Sequence, residues 1–206
     1  MHLWLVRHGH CGNNSPDSDL TPLGEQQAHQ TAQRLAGSGS FTVLSSPLVR
    51  ALGTASIIAE TLGTPVEVWP DLREGFSWTH HAHSRQALLR RFPQALLPAG
   101  FAVDGWEYGN DTYESMVLRC QQSLHQLRER FGADDQVVVV THGGLANYLL
   151  HSIVQLPRPS PLWFEMDYCA ISRVYFVPEQ EREHWPLYPA VEAKILCVND
   201  CSHLSP

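Results

Sequence analysis

The run Leu3-Trp4-Leu5-Val6 stops abruptly at Arg7-His8-Gly9, and this break constrains the chain more than any other stretch. Apolar residues at consecutive positions mark a strand buried on both faces, as in a parallel sheet covered by helices. In such sheets ligands collect beyond the carboxyl ends of the strands. An Arg and a His at that place suggest an anion held beside a nucleophile or a base. Glycine after them lets the backbone turn closely around a ligand.

The pattern recurs. Val137-Val138-Val139-Val140-Thr141 is the clearest buried strand, and it ends in His142-Gly143-Gly144 before a helix over about Leu145 to Ile153. Phe41 to Ser46 reads as another strand, leading through Pro47 into a helix to about Leu62 that carries Arg50 on its first turn. A cation there opposes the helix dipole, which points to an anion it must hold. Parallel neighbours point their ends the same way. Two Arg and two His therefore converge on one pocket, with helix N-termini adding N–H donors, and a phosphate monoester dianion suits it.

Between these runs the alternation of elements continues. Thr21 caps a helix with Pro22 in its first turn and Gly37 and Gly39 at its end. Val66 to Trp69 is a short strand, and a long helix spans about Thr112 to Phe131, with Asp111 and Glu114 as its expected capping box. Two more strands are expected at about Cys169 to Val177 and Val191 to Val198. Residues 71–111 hold clustered His, Trp, Phe, Pro and Gly and one helical stretch at about Ser84 to Phe92. The expectation is one α/β domain over 1–206: a three-layer, mostly parallel sheet with helices on both faces and a small cap insertion.

Composition narrows the partners. The net charge is -7, and no Lys/Arg-rich run exists to bind nucleic acid or an anionic membrane. No apolar run approaches the ~20 residues of a membrane span. The 5 cysteines are odd in number and scattered, without a leader-like opening, so a reduced, cytoplasmic protein is expected. The partner expected is a small phosphate ester; the oligomeric state is left open. His80, His81 and His83 lack zinc-like spacing and read as solvated cap histidines, and no metal or cofactor is expected. Cys197, Cys201 and His203 read as packing at the sheet edge.

Five ordered blocks resemble the histidine phosphatase superfamily, also called phosphoglycerate mutase-like. They are Arg7-His8-Gly9 with Asn14, Leu20 to Ala28, Ser45 to Ala55, Leu72-Arg73-Glu74, and Val140 to Gly144. A sixth stretch, Val198 to Leu204, looks like a tail of its phosphatase branch. The resemblance implies metal-independent hydrolysis through a phosphohistidine. His8 would be the nucleophile and Glu74 the acid, with Glu107 as rival. Arg7, Arg50, His142, Gly143 and Asn14 would hold the phosphoryl oxygens. The alternatives are a cofactor-dependent phosphoglycerate mutase and a non-catalytic phospholigand-binding module. The short cap, with Arg85, Arg90 and Arg91 as its basic residues, favours hydrolysis over isomerisation. His10, Cys11 and the stretch Ser77 to His81 depart from the family pattern and leave the natural substrate open.

Overall fold

The computed structural model describes residues 1–13, 15–182 and 189–204. Nine strands and five helices follow one another as β1 (His2–Arg7), α1 (Pro22–Ala36), β2 (Thr42–Ser45), α2 (Val49–Leu62) and β3 (Val66–Val68), then β4 (His80–Ala82), α3 (Arg85–Arg91), β5 (Ala95–Leu96), β6 (Trp106–Tyr108) and α4 (Tyr113–Arg130), and finally β7 (Gln136–Thr141), α5 (Gly143–Ile153), β8 (Ile171–Phe176) and β9 (Ala193–Asp200) among the described residues.

Seven of the strands form one sheet in the order β5-β3-β2-β7-β1-β8-β9. The run from β5 to β1 is parallel; β8 joins β1 antiparallel and β9 joins β8 antiparallel. The expected α/β architecture is present. Successive strand residues face opposite layers. Trp4, Val6, Val43, Val138 and Val140 pack with Leu52, Ala55 and Ile58 of α2 and Ala32 and Leu35 of α1. Leu3, Leu5, Leu44, Val137 and Val139 pack on the other side, with Cys120 and Leu127 of α4 and Leu145 and Leu149 of α5. Each fully buried Leu or Val contributes about 1.5–3 kcal/mol of transfer free energy, so two such layers fix the strand ends firmly.

Local signals decide the helix ends. Thr21 Oγ1 accepts from Gly24 N, with Pro22 at the first helical position, as expected. Gly63 ends α2 in the left-handed region at φ 66°. Helix α2 begins at Val49 rather than Pro47, because Ser46 Oγ takes the N–H of Leu48 and Asp17 Oδ1 that of Val49. The expected capping box of α4 is also corrected. Thr112 and Ser115 form it, since the Asp111 carboxylate is engaged by Phe76 N and Arg119.

Residues 71–111 contain more strand than their sequence suggests. β4 and β6 pair antiparallel as a separate ribbon, and β5 adds to the main sheet beside β3. These strands have two or three residues each, too few for a period to show. Phe76, His80, Tyr108, Trp106 and Phe101 pack ring against ring in edge-on and tilted contacts across the ribbon, while Trp78 is 75% exposed.

Candidate active site

Three strand tips meet at one level. Arg7 of β1 is the register partner of Thr141 of β7, and Ser45 of β2 that of Val140. The ladder runs one step further: His8 N donates to Thr141 O at 2.9 Å and Ser46 N to Val140 O at 3.0 Å. Beyond His8 the chain lies directly on the start of α1. A Cβ at Gly9 would stand 2.5 Å from the Gly24 carbonyl oxygen, so only glycine permits this approach. Gly9 N donates to Thr54 Oγ1 at 3.0 Å, which ties the loop to α2.

His8 is buried, at 5% exposure. Its Nδ1 lies 2.8 Å from the Gly9 carbonyl, which only accepts, and Arg50 Nε donates to its Nε2 at 3.1 Å. The two partners fix the tautomer: the proton is on Nδ1 and the lone pair on Nε2. Burial first, then the charge of Arg50, lowers its pKa to about 3. The ring is therefore neutral near pH 7, as a nitrogen nucleophile must be.

His142 faces His8 with ring centroids 5.1 Å apart and is 1% exposed. Its Nε2 meets Ser46 Oγ at 2.8 Å, and its Nδ1 is buried without a partner. Burial, Arg50 and His8 hold its pKa well below the usual histidine range. Arg7 donates through Nη1 to Met166 O at 2.6 Å and lies 4.0 Å from the Tyr168 ring centroid. Its Nε is buried without a partner. Gly143, at the first position of α5, sits alongside; a Cβ there would be 3.5 Å from Arg7 Nε. Arg50 donates from Nη1 to Pro16 O at 2.6 Å, with Asp17 Oδ1 at 3.9 Å. The unpartnered Nε of Arg7, a ring nitrogen of His142, a buried guanidinium and a helix N-terminus thus surround one small volume, which suits an anion.

Glu74 occupies the same helix end. Its Oε2 accepts from Gly144 N at 3.1 Å, and its Oε1 from Leu145 N at 3.1 Å and Gly75 N at 3.0 Å. A Cβ at Gly144 would fall 2.7 Å from Oε1. The loop bearing Glu74 is clamped by Arg119, buried on α4. Arg119 Nη1 donates to Asp71 O at 3.0 Å and Arg73 O at 2.6 Å, and Nη2 to Asp111 Oδ1 at 3.1 Å. Thr141 Oγ1 holds Leu72 O at 2.7 Å from the strand side.

Of the residues expected from the sequence, the structure gathers Arg7, His8, Arg50, Glu74, His142 and Gly143 around the tips of β1, β2 and β7. Asn14 lies outside the described residues. Glu107 is not in the group: it pairs with His81 at 3.3 Å on the exposed side of the ribbon. His10 is held by Thr21 Oγ1 at 2.8 Å and stands edge-on to Tyr168. Burial raises the Cys11 thiol, which keeps it protonated. His203 Nε2 reaches Thr31 Oγ1 at 3.0 Å and Cys169 O at 3.2 Å, a packing role beneath α1.

Sequence reasoning missed Ser46, Asp17, Tyr168 and Arg119. Tyr168 had no signal, because its loop has no periodicity. Arg119 had one: it falls on the buried stripe of α4 with Met116, Cys120 and Ser123, where an unpaired charge would be costly.

A family model described as histidine phosphatase superfamily (branch 1) matches residues 3–185. A relative from Erwinia tasmaniensis named "Probable phosphoglycerate mutase GpmB" is 32% identical over 188 residues, 84% of each chain. One of the same name from Yersinia enterocolitica is 29% identical over 188 residues, also 84% of each. Among solved structures, a phosphoserine phosphatase from Entamoeba histolytica bound to 3-phosphoglyceric acid has TM-score 0.68 at 22% identity, covering 99% of both chains. A mycobacterial glucosyl-3-phosphoglycerate phosphatase with inorganic phosphate has TM-score 0.67 at 22% identity over 99% of both. These two likenesses show the shared fold.

Proposed function

The chain belongs to the histidine phosphatase superfamily, and from that premise we propose that it hydrolyses small phosphate monoesters without a metal, in two steps through His8. Nε2 of His8 attacks phosphorus and the ester P–O bond breaks. Glu74 gives its proton to the departing alkoxide. Glu74 then takes a proton from water, whose oxygen attacks the phosphohistidine and releases inorganic phosphate and neutral His8. Arg7, Arg50, His142, the N–H of Gly143 and Asn14 hold the equatorial oxygens, where charge develops in the transition state.

The observation that carries this reading is the state of His8: neutral, with its tautomer fixed by Gly9 and its Nε2 beside a buried guanidinium. Arg50 Nε engages that lone pair in the free site. An entering phosphoryl group takes the guanidinium contact over and frees Nε2. A cytoplasmic setting, with a small ester as partner and neither nucleic acid nor membrane, is part of the proposal. It is supported by five free cysteines, the net negative charge and the absence, among the described residues, of a helix long and apolar enough to cross a membrane.

The curated relatives carry a mutase name, so the assay must separate the two outcomes. Given 3-phosphoglycerate with its bisphosphate primer, the protein should release inorganic phosphate, and p-nitrophenyl phosphate turnover should survive EDTA. Isomer exchange faster than phosphate release would establish the mutase instead. Loss of turnover on chelation would establish a metal enzyme.

A further inference from the structure

Arg7 carries no counter-charge. Among the described residues no carboxylate pairs with it. Its side chain makes one hydrogen bond among them, from Nη1 to Met166 O at 2.6 Å, and its Nε is buried without a partner. One bond leaves a guanidinium plane free to swing, and a loose arginine gives up side-chain freedom when a ligand arrives. Here the plane is set by a second contact: the central guanidinium carbon lies 4.0 Å from the centroid of the Tyr168 ring. We propose that Tyr168 is the positioning residue of Arg7, holding the guanidinium against the face of its ring so that the unused N–H groups stay free for the phosphoryl oxygens. The inference rests on the phosphoryl-site reading above.

An aromatic face suits this task better than an acid. A carboxylate would also hold the plane, but it would occupy two donors and cancel charge that a phosphate dianion needs. The ring attracts the cation through its quadrupole and takes no N–H. Arg50 shows the alternative: its Nη1 is taken by Pro16 O, and Asp17 stands 3.9 Å away. The two guanidinium groups of the site are thus oriented by different means, and Arg7 is the one left uncompensated.

The ring is fixed by its neighbours in space and in sequence. His10 stands edge-on to it at 5.2 Å between centroids, and His8 is tilted against it at 5.6 Å. His10 is itself tied to Thr21 Oγ1 at 2.8 Å. On one side of Tyr168 in the chain, Asp167 N donates to Asn199 Oδ1 at 2.7 Å and Asn199 Nδ2 to Asp167 Oδ2 at 2.9 Å. On the other side, Cys169 is fully buried, and its N–H donates to Arg7 O at 3.0 Å. Cys169 takes left-handed backbone at φ 57°, which a non-glycine residue keeps only where its surroundings over-determine the turn. The turn that presents the ring is therefore bonded to the backbone of the arginine it serves.

Inorganic phosphate is the probe, measured as a competitive inhibitor of p-nitrophenyl phosphate turnover and by calorimetric titration of the full-length protein. Tyr168→Phe keeps the ring face. Difluorinated and pentafluorinated phenylalanine at the same position nearly keep its size but weaken, then reverse, its quadrupole. Phosphate binding should stay within about twofold of wild type for Tyr168→Phe and fall stepwise along the fluorinated series, by about tenfold at its end. Tyr168→Leu, of similar bulk without an aromatic face, should weaken it severalfold. The fluorinated comparison stands even if that variant does not fold. The ¹⁵N resonance of Arg7 Nε–H, identified by its loss in Arg7→Lys, should exchange faster with water along the same series. Phosphate constants level across the fluorinated rings, or a weakening with no change in that resonance, would overturn the role of Tyr168 and leave the phosphoryl site standing. If the wild-type protein does not bind phosphate, both readings fall.

Discussion

The two walls of the site are held by different forces. On the sheet side, His8, Ser46 and His142 leave the tips of adjacent parallel strands, and backbone ladder bonds continue into them. Beneath them lie two apolar layers. On the cap side, Glu74 hangs from a loop fixed by a few polar clamps: Arg119 to two carbonyls, Thr141 to a third, and the N–H groups of α5 to the carboxylate itself. The first wall is rigid because the whole sheet would have to move. The second is placed by single side chains. A change in the sheet-side residues should therefore abolish chemistry in a folded protein, whereas one in the cap-side clamps should cost stability or leaving-group protonation.

The largest effect should come from the clamp. Arg119→Leu removes the nearer cation of the buried Asp111, leaving it Arg73 at 3.8 Å, and unpairs the carbonyls of Asp71 and Arg73. Removing one member of a buried pair costs about 3–5 kcal/mol, and urea unfolding should show that loss. A loss under about 1 kcal/mol would mean the cap wall does not depend on it. Next is Arg50→Ala, which should lower kcat on p-nitrophenyl phosphate by about 10²–10³; a loss under tenfold would remove Arg50 from the phosphoryl site. Gly144→Ala sharpens the contrast between the walls. The added methyl pushes on Glu74 Oε1, so alkyl phosphates, which need a proton on the leaving oxygen, should slow by about 10². With p-nitrophenyl phosphate the burst of p-nitrophenolate, a leaving group that needs no proton, should be nearly spared while phosphate release slows; an equal loss in the burst would place the acid elsewhere.

Acid loads the sheet side most heavily, with His2 and His203, also held below the usual histidine range by burial, adding to the same response. His8 is held at about 3 in the folded state against 6.5 in the unfolded chain, and His142 also lies well below 6.5. Between those values the unfolded chain binds protons that the folded one refuses. Stability is thus full above about pH 6.5 and declines as pH falls below it. A flat profile from pH 6.5 to 5 would mean that the two rings are not held neutral. Trp78→Ala gives the smallest effect. At 75% exposure it should change stability by less than about 0.5 kcal/mol, measured by thermal unfolding.

The same division governs what the sequence discloses. The sheet wall was legible because burial on both faces leaves long apolar runs, and Arg7-His8-Gly9 and His142-Gly143-Gly144 interrupt them visibly. Arg50 stood out as a cation at the wrong end of a helix. Of the cap wall only Glu74 was legible, through the resemblance of Leu72-Arg73-Glu74 to its family block. β4, β5 and β6 are too short to show a period, and Tyr168 enters from a loop with no pattern. The role of Asp111 turned on Arg119, eight residues along α4 and facing inward, so Asp111 read as a cap for the helix rather than as the partner of a clamp. Polar clamps are long-range choices among groups that look alike in sequence.

The central claim is that His8 carries the phosphoryl group. Rapid quenching of the protein with ³²P-labelled substrate should trap acid-labile, base-stable label on the peptide containing His8, formed and lost at the rate of turnover and missing from His8→Ala. Label on another residue, or full turnover by His8→Ala, would contradict the account.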